Sequence, residues 1–468
     1  MYELVIRSAR IVTPDGVVIG DLAVSREKIA AIGQGLGPGQ NEVDATGRIV
    51  FPGIIDAHVH FGLPVENGFS ADNVESGTRG AAFGGVTTVI DFTRQEDGED
   101  LITPFERKLR AIEGKAYIDV ALHSNVTSID ETVLEQIPEL LKRGTPSFKI
   151  FTAYREQGMC LDAPDILRVA EAVGEAGGLL MVHAENGDAA DFLAARFQRE
   201  GERGMAFHAE SRPDLLEAEA IHRVATLTRL AGCQLYIVHL SSERGLEVIR
   251  RFRSEGWIIH AETCPQYLLL NKSAYDGLEE AHYYVCTPPL RTEKDGKALT
   301  GAVNDGEIGV VSTDHCPFSK AQMDAAAGDF QTALSGLPGV ETLFPLMFGH
   351  LVALADGGLT PRSNASLILL ARVLAENPAK LFGLAPRKGA LREGADADFI
   401  VFDPNPIRHI NAMDLHGAGD WSPYQGREVR GEIRAVYLRG QRIIDNGQLY
   451  GKPGLGRFQA GEMPTDES

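Results

Sequence analysis

The chain has 468 residues, of which 44% are hydrophobic and 24% charged, and this composition argues against wholesale disorder. Its 65 acidic side chains outnumber 45 basic ones, for a formal charge of −20 at pH 7, so nucleic acid and anionic membrane surfaces make poor partners. Cys160, Cys233, Cys264, Cys286 and Cys316 lie scattered with no C-x-x-C pair, which argues against a disulfide framework or a thiolate zinc site and fits a reducing compartment. The start, Met1-Tyr2-Glu3-Leu4-Val5-Ile6, has no basic run leading into an apolar stretch, and no segment approaches the roughly 18 apolar residues of a spanning helix. These features predict a cytoplasmic globular protein.

Residues 1–50 read as short strands: Leu4-Val5-Ile6 and Arg10-Ile11-Val12, the turn Pro14-Asp15-Gly16, then Val17-Val18-Ile19, Leu22-Ala23-Val24 and Ile29-Ala30-Ala31-Ile32. From 51 to 385 the rhythm changes, and β-branched runs alternate with helical segments. A first strand over Ile49 to Ala57 is followed by Val86–Ile90, Ile118–Leu122, Phe148–Phe151, Leu179–Val182, Leu235–Val238, Trp257–Ile259 and Gly309–Val311. One intervening helix is legible in detail. Asp162 is its N-cap, Ile166, Val169, Ala170 and Val173 share a face, and Gly177-Gly178 ends it. Repeated β–α units of this length predict an α/β protein built on a closed (β/α)8 barrel; the open doubly wound alternative lacks any G-x-G-x-x-G after a strand. Strand-like texture returns at Ala397–Phe402 and Ala435–Leu438, with the turn Asp445-Asn446-Gly447. The two ends, each too small to bury a core, are expected to complete one another. The predicted organisation is a discontinuous β-sandwich domain from 1–50 plus 386–460, a barrel at 51–385, and a flexible tail at 461–468.

The residues suited to metal chemistry fall at one phase of this rhythm. His58 and His60 close strand one, and an i, i+2 pair on a strand points to one side. Lys149 lies in strand four; His183, His239 and Asp314 end strands five, six and eight. A lone strand-end histidine is more often only hydrogen-bonded, Lys149 could snorkel outward, and Asp314 could cap a helix. A barrel, however, brings the C-terminal ends of its strands to one mouth, so all six would meet. Imidazole and carboxylate without thiolate suit Zn2+ first, with Mn2+ or Co2+ as alternatives. Two ions would need a bridging anion. A neutral lysine amine that has captured CO2 as a carbamate supplies one, whereas an ammonium between two dications would be repelled.

At these residues the chain resembles the cyclic amidohydrolases of the amidohydrolase superfamily, and most closely the dihydropyrimidinase/hydantoinase group. The resemblance spans nearly the whole length. It is carried by Gly53-Ile54-Ile55-Asp56-Ala57-His58-Val59-His60, Ser76-Gly77-Thr78-Arg79-Gly80, His183-Ala184-Glu185-Asn186-Gly187-Asp188, Thr263-Cys264-Pro265-Gln266-Tyr267, Cys286-Thr287-Pro288-Pro289-Leu290-Arg291, Asp314-His315-Cys316-Pro317-Phe318 and Asn377-Pro378-Ala379-Lys380-Leu381-Phe382-Gly383. It implies two divalent ions per subunit, with His58, His60 and Asp314 on one, His183 and His239 on the other, and Lys149, as N6-carboxylysine, bridging them with a hydroxide. It further implies that Tyr154 hydrogen-bonds the reacting carbonyl oxygen, and that Thr287 and the stretch Ser335-Gly336 hold the substrate. That stretch, Ser335-Gly336-Leu337-Pro338-Gly339-Val340-Glu341, is closer in texture to dihydroorotases and L-selective hydantoinases than to many D-hydantoinases.

The implied activity is hydrolysis of a C–N bond in a small neutral cyclic amide or imide, a 5,6-dihydropyrimidine or 5-substituted hydantoin, to an N-carbamoyl amino acid. The bridging hydroxide attacks and Asp314 carries the proton to the leaving nitrogen. Allantoinase or dihydroorotase-like ring opening is the alternative, although Phe61-Gly62 after the second histidine lacks the arginine or asparagine those enzymes place there. A single-metal deaminase on the same barrel fits Lys149 less well. A non-catalytic dihydropyrimidinase-related assembly protein would show lost ligands, and all six positions keep ligand chemistry. The resemblance also implies a homotetramer, or a homodimer.

Overall fold

Gly53 divides what reads as one strand into two. A Cβ there would lie 2.1 Å from Thr87 Oγ1, so only glycine allows the chain to pass. Ile49–Pro52 before it pairs with the β unit of the chain ends, and Ile54–Val59 after it opens the barrel. The computed structural model describes residues 1–65, 68–277, 279–352, 359–360 and 363–463; the last five residues of the expected tail, 464–468, lie outside them.

Eight parallel strands follow one another in chain order around a single sheet: Ile54–Val59, Val86–Phe92, Asp119–Asn125, Ser147–Phe151, Leu179–His183, Leu235–Ile237, Ile259–Thr263 and Val310–Val311. They are called barrel strands one to eight below. Strands one and eight meet through a parallel bridge between Val59 and His315, backed by the His60 N–H donating to the His315 carbonyl at 2.8 Å. Helices cover the outside, completing a (β/α)8 barrel. The seventh strand begins where the sequence reading ends it. Trp257 and the exposed Ile258 are spent on leaving the preceding helix, Glu243–Ser254, by way of Gly256 at φ +85°.

Side-chain parity decides which residues enter the barrel. Phe148, Ile150, Leu180 and Val182 pack outward with the helix residues Ile166, Val169, Ala170 and Val173. Leu179 and Met181 share the inner core with Ala121, Tyr236 and Phe382. By the same alternation Lys149 and His183 face inward. The helix Ala163–Glu175 between these strands is capped by Asp162, whose side chain accepts from the Asp165 N–H at 3.2 Å, and the chain turns after it at Gly177. Such a cap is worth about 1 kcal/mol.

The two chain ends form one small β unit. In hydrogen-bonding terms the expected sandwich is one branched sheet of nine strands. Its first strand, Tyr2–Thr13, pairs with Gly39–Asp44 along its first half and with Ile49–Pro52 along its second. The two strands expected in that stretch are one, bent by a bulge at Arg7 and Ser8. Ser8, at φ +56°, absorbs the extra residue and keeps Ile6 and Ala9 in the same apolar cluster. That cluster, with Leu22, Val24, Phe399 and Tyr437, covers one face. The other packs on the barrel through the ring contacts Phe51–Phe344, Phe344–Phe402 and Phe348–Phe402, at 5.1, 5.0 and 4.6 Å. The last part of the stretch assigned to the sandwich leaves it. The Gly454 N–H donates to the Ala116 carbonyl at 3.0 Å, Gln459 to Val120 at 2.8 Å, and Gly461 and Glu462 to Gly144 and Gly383, each at 2.9 Å. Residues 454–462 therefore lie along the barrel, because strand three offers its backbone there. Among the described residues no helix is long and apolar enough to cross a membrane.

Candidate metal centre and active site

The C-terminal ends of barrel strands one, four, five, six and eight place six ligand-type side chains together. One donor atom each from His58, His60 and Asp314 lies within 4.8 Å of the others. His58 Nε2 and His60 Nε2 approach the same Asp314 Oδ1 at 3.1 and 3.2 Å, and Lys149 Nζ lies 3.0 Å from His58 Nε2. His183 Nδ1 and His239 Nε2 are 2.9 Å apart, and the His58 and His239 rings are 5.6 Å apart. Tyr154 closes this side, its ring 4.9 Å from that of His183.

Neighbours fix which ring nitrogen faces inward. His58 Nδ1 contacts Glu262, leaving Nε2 for Asp314 and Lys149. His183 Nε2 meets Glu185 Oε2 at 3.0 Å, leaving Nδ1 for His239. Glu185 is in turn held by Arg212 Nη1 at 3.1 Å. Glu262 also accepts from the His239 N–H at 3.2 Å and from the Tyr236 hydroxyl at 2.9 Å, so one carboxylate ties three strands. Carboxylates that orient imidazoles in this way are the usual support of a metal site.

The electrostatics suit cations. Burial lowers His58 and His239 well below the ordinary imidazole value, so both rings are neutral and have a lone pair to give. Burial pushes the Lys149 amine down to about 8. Its Nζ lies 4.4 Å from the centre of the Phe92 ring, which also packs against His58 and His60 at 4.7 and 4.8 Å. Burial raises the Tyr154 hydroxyl, which therefore keeps its proton and serves as a donor. Tyr154, His239 and Asp314 have φ values of +67°, +39° and +52°. Left-handed backbone is uncommon outside glycine, and three of the eight such positions among the described residues belong to this cluster.

The other residues singled out from the sequence line the same mouth. Thr287 Oγ1 and Ser335 Oγ are 2.7 Å apart, and the Gly336 N–H donates to the Val285 carbonyl at 3.0 Å. A Cβ on Gly336 would lie 2.3 Å from the Cys316 carbonyl oxygen, so glycine lets this segment lie against the end of strand eight. Glu262, Glu185, Arg212 and Phe92 were not anticipated. Glu262 escapes notice when strand seven is ended at Ile259, and Arg212 has no local signal.

The donor set fits a divalent ion at His58, His60 and Asp314. His183 Nε2 faces Glu185, which leaves Nδ1 with a lone pair, and that nitrogen lies 2.9 Å from His239 Nε2, so two imidazoles turn nitrogen atoms into one space. His58 and His60 likewise direct their Nε2 atoms at one oxygen of Asp314. Nitrogen and oxygen donors without sulfur match zinc and its neighbours.

Comparison with known proteins agrees with this geometry. The pattern of the Amidohydrolase family matches residues 49–443. A D-hydantoinase of Ralstonia pickettii is 38% identical over 458 residues, covering 97% of this chain and 98% of that one. One of Geobacillus stearothermophilus is 38% identical over 457 residues, covering 97% and 95%. The crystal structure of a dihydropyrimidinase from Brevibacillus agri superposes with a TM-score of 0.93 at 34% identity, covering 98% of this chain and 99% of the other. Sequence, fold and site geometry agree: the chain belongs to the amidohydrolase family.

Proposed function

We propose that the protein is a metal-dependent cyclic amide hydrolase that opens 5-substituted hydantoins or 5,6-dihydropyrimidines to N-carbamoyl amino acids. The observation that carries this reading is the meeting of His58, His60, Lys149, His183, His239 and Asp314 at one mouth, in a chain alike over its full length to a D-hydantoinase. His58, His60 and Asp314 would hold one ion and His183 and His239 the other, with Lys149 as N6-carboxylysine between them. Zn2+ is the first candidate, with Mn2+ and Co2+ next. Such ions supply a water acidic enough to attack as hydroxide near neutral pH, and they polarise the carbonyl.

The chain's own residues do the rest. Tyr154, still protonated, donates a hydrogen bond to the carbonyl oxygen as that oxygen gains charge, a contact worth about 3–4 kcal/mol in a dry site. Thr287, Ser335 and Gly336 hold the ring's amide edges. Asp314 takes the proton of the attacking water and delivers it to the ring nitrogen as the C–N bond breaks, because an amide nitrogen leaves poorly unless protonated. The lysine carbamate forms when the neutral amine attacks CO2 and releases one proton. Five free thiols support a cytoplasmic setting. A homotetramer or homodimer rests on family membership alone.

A substrate panel tests the reading: dihydrouracil, dihydrothymine, D- and L-hydantoins with aryl and alkyl substituents, allantoin and dihydroorotate, with metal content measured alongside. Ring opening of a neutral dihydropyrimidine or hydantoin with about two ions per protomer is the expected result; D enantiomers lead because relatives are named D-hydantoinases. Preference for dihydroorotate or allantoin, or one ion per protomer, would overturn it.

A further inference from the structure

We propose that His315 is a positioning residue that holds the segment 335–340 in register with Asp314; this rests on the amide-hydrolase reading, in which that segment binds substrate. His315 follows Asp314 directly and is 3% exposed. Its backbone joins strands eight and one, donating to the His58 carbonyl at 3.3 Å and accepting from the His60 N–H at 2.8 Å. Its imidazole works in the other direction. Nδ1 accepts from the Gly339 N–H at 3.0 Å and the Val340 N–H at 3.2 Å, and Nε2 meets Asp72 Oδ2 at 3.1 Å.

Two amides aimed at Nδ1 require a lone pair there, so Nε2 carries the hydrogen and donates it to Asp72. The other Asp72 oxygen accepts the Ala418 N–H at 2.7 Å, in the loop that the β unit extends over the barrel. An edge contact with the Phe61 ring at 5.7 Å packs against the imidazole. Nearer the mouth, the Cys316 N–H donates to the Leu337 carbonyl at 3.1 Å. A continuous run of bonds thus leads from Ala418 through Asp72 and His315 to the Gly339 and Val340 amides. The residue that forms it is covalently next to Asp314. What this clamp sets is the distance between the substrate-holding segment and Asp314, while the ligand atoms keep their own supports in Glu262 and Glu185.

His315→Phe keeps a ring against Phe61 but accepts no hydrogen bond. It should raise KM about tenfold or more, because the Gly339 and Val340 amides lose their shared acceptor, with kcat less affected and metal content unchanged. Hydrogen exchange at the Gly339 and Val340 amides should quicken. His315→Gln restores an acceptor and should bring KM back toward the wild-type value. Wild-type KM and exchange in His315→Phe, or no recovery in His315→Gln, would overturn the proposal. If His315→Phe does not fold, Asp72→Ala decides: faster exchange at the same two amides supports the clamp, and unchanged exchange defeats it. Failure of the wild-type protein to open any ring would defeat the functional reading instead, and the exchange comparison would still judge the clamp.

Discussion

Lys149 shows how burial changes what a side chain can do. Its amine is held among Phe92, Phe151 and His58 and is lowered to about 8 by loss of water. The neutral form, which alone reacts with CO2, therefore becomes the majority above that pH and the minority below it. CO2 uptake by metal-free protein, followed by carbon-13 NMR, should rise as pH increases through about 8. Uptake independent of pH between 6 and 9 would count against the carbamate. Lys149→Ala should lose metal and activity together, with partial rescue by short-chain carboxylic acids; full metal occupancy in that variant would refute the bridging role. Tyr154→Phe should keep its metal yet lose turnover about 100-fold or more, the loss expected for one oxyanion donor. Lys149 is legible in the sequence because a lysine among the apolar residues of a strand is unusual, whereas Tyr154 is reached only through the family resemblance. Glu185 and Glu262 were not put to use. A carboxylate two residues from a histidine, or near a strand's edge, has no meaning until the fold shows which imidazole it touches.

At the scale of elements, the alternation of β-branched runs with amphipathic helices was enough to order the barrel strands, because each strand is buried on both sides and reads as a continuous apolar run. Boundaries failed where a second physical demand overrode composition. Trp257 and Ile258 have strand-forming side chains, but the turn through Gly256 uses them to leave a helix. Ile49 to Ala57 looks uniform, but a single close approach at Gly53 splits it between two units. Gly53→Ala should therefore be far more disruptive than a usual surface glycine change. The Cβ would overlap Thr87 Oγ1, and expulsion of either strand would disturb the His58-Val59-His60 segment. Lost metal binding in Gly53→Ala, recovered in part by adding Thr87→Ala, is the expected pattern. Normal metal binding in the single variant would show that the backbone yields there.

At the scale of the molecule, the barrel and the β unit are joined by buried charge as well as apolar contact. Lys388 Nζ lies 2.7 Å from Asp119 of barrel strand three and 2.6 Å from Asp398 beside the β unit, and Arg439 pairs with the same Asp119. Lys388 is 3% exposed. Lys388→Met would strand a buried carboxylate and should cost about 3–5 kcal/mol, read as a lowered denaturation midpoint. A change below about 1 kcal/mol would mean that Arg439 alone suffices. This network was invisible in the sequence, since its members come from distant segments with no shared motif.

The segment 454–462 has a consequence for how the protein is made. The amide of Val120 donates to the carbonyl of Arg457, and that of Gln459 to the carbonyl of Val120, so part of strand three's backbone waits for residues translated more than three hundred positions later. Contacts this remote in sequence are slow to form. Until residues 454–462 dock, the backbone of strand three at Val120 keeps unpaired groups, and any partly folded state exposes that edge to mispairing.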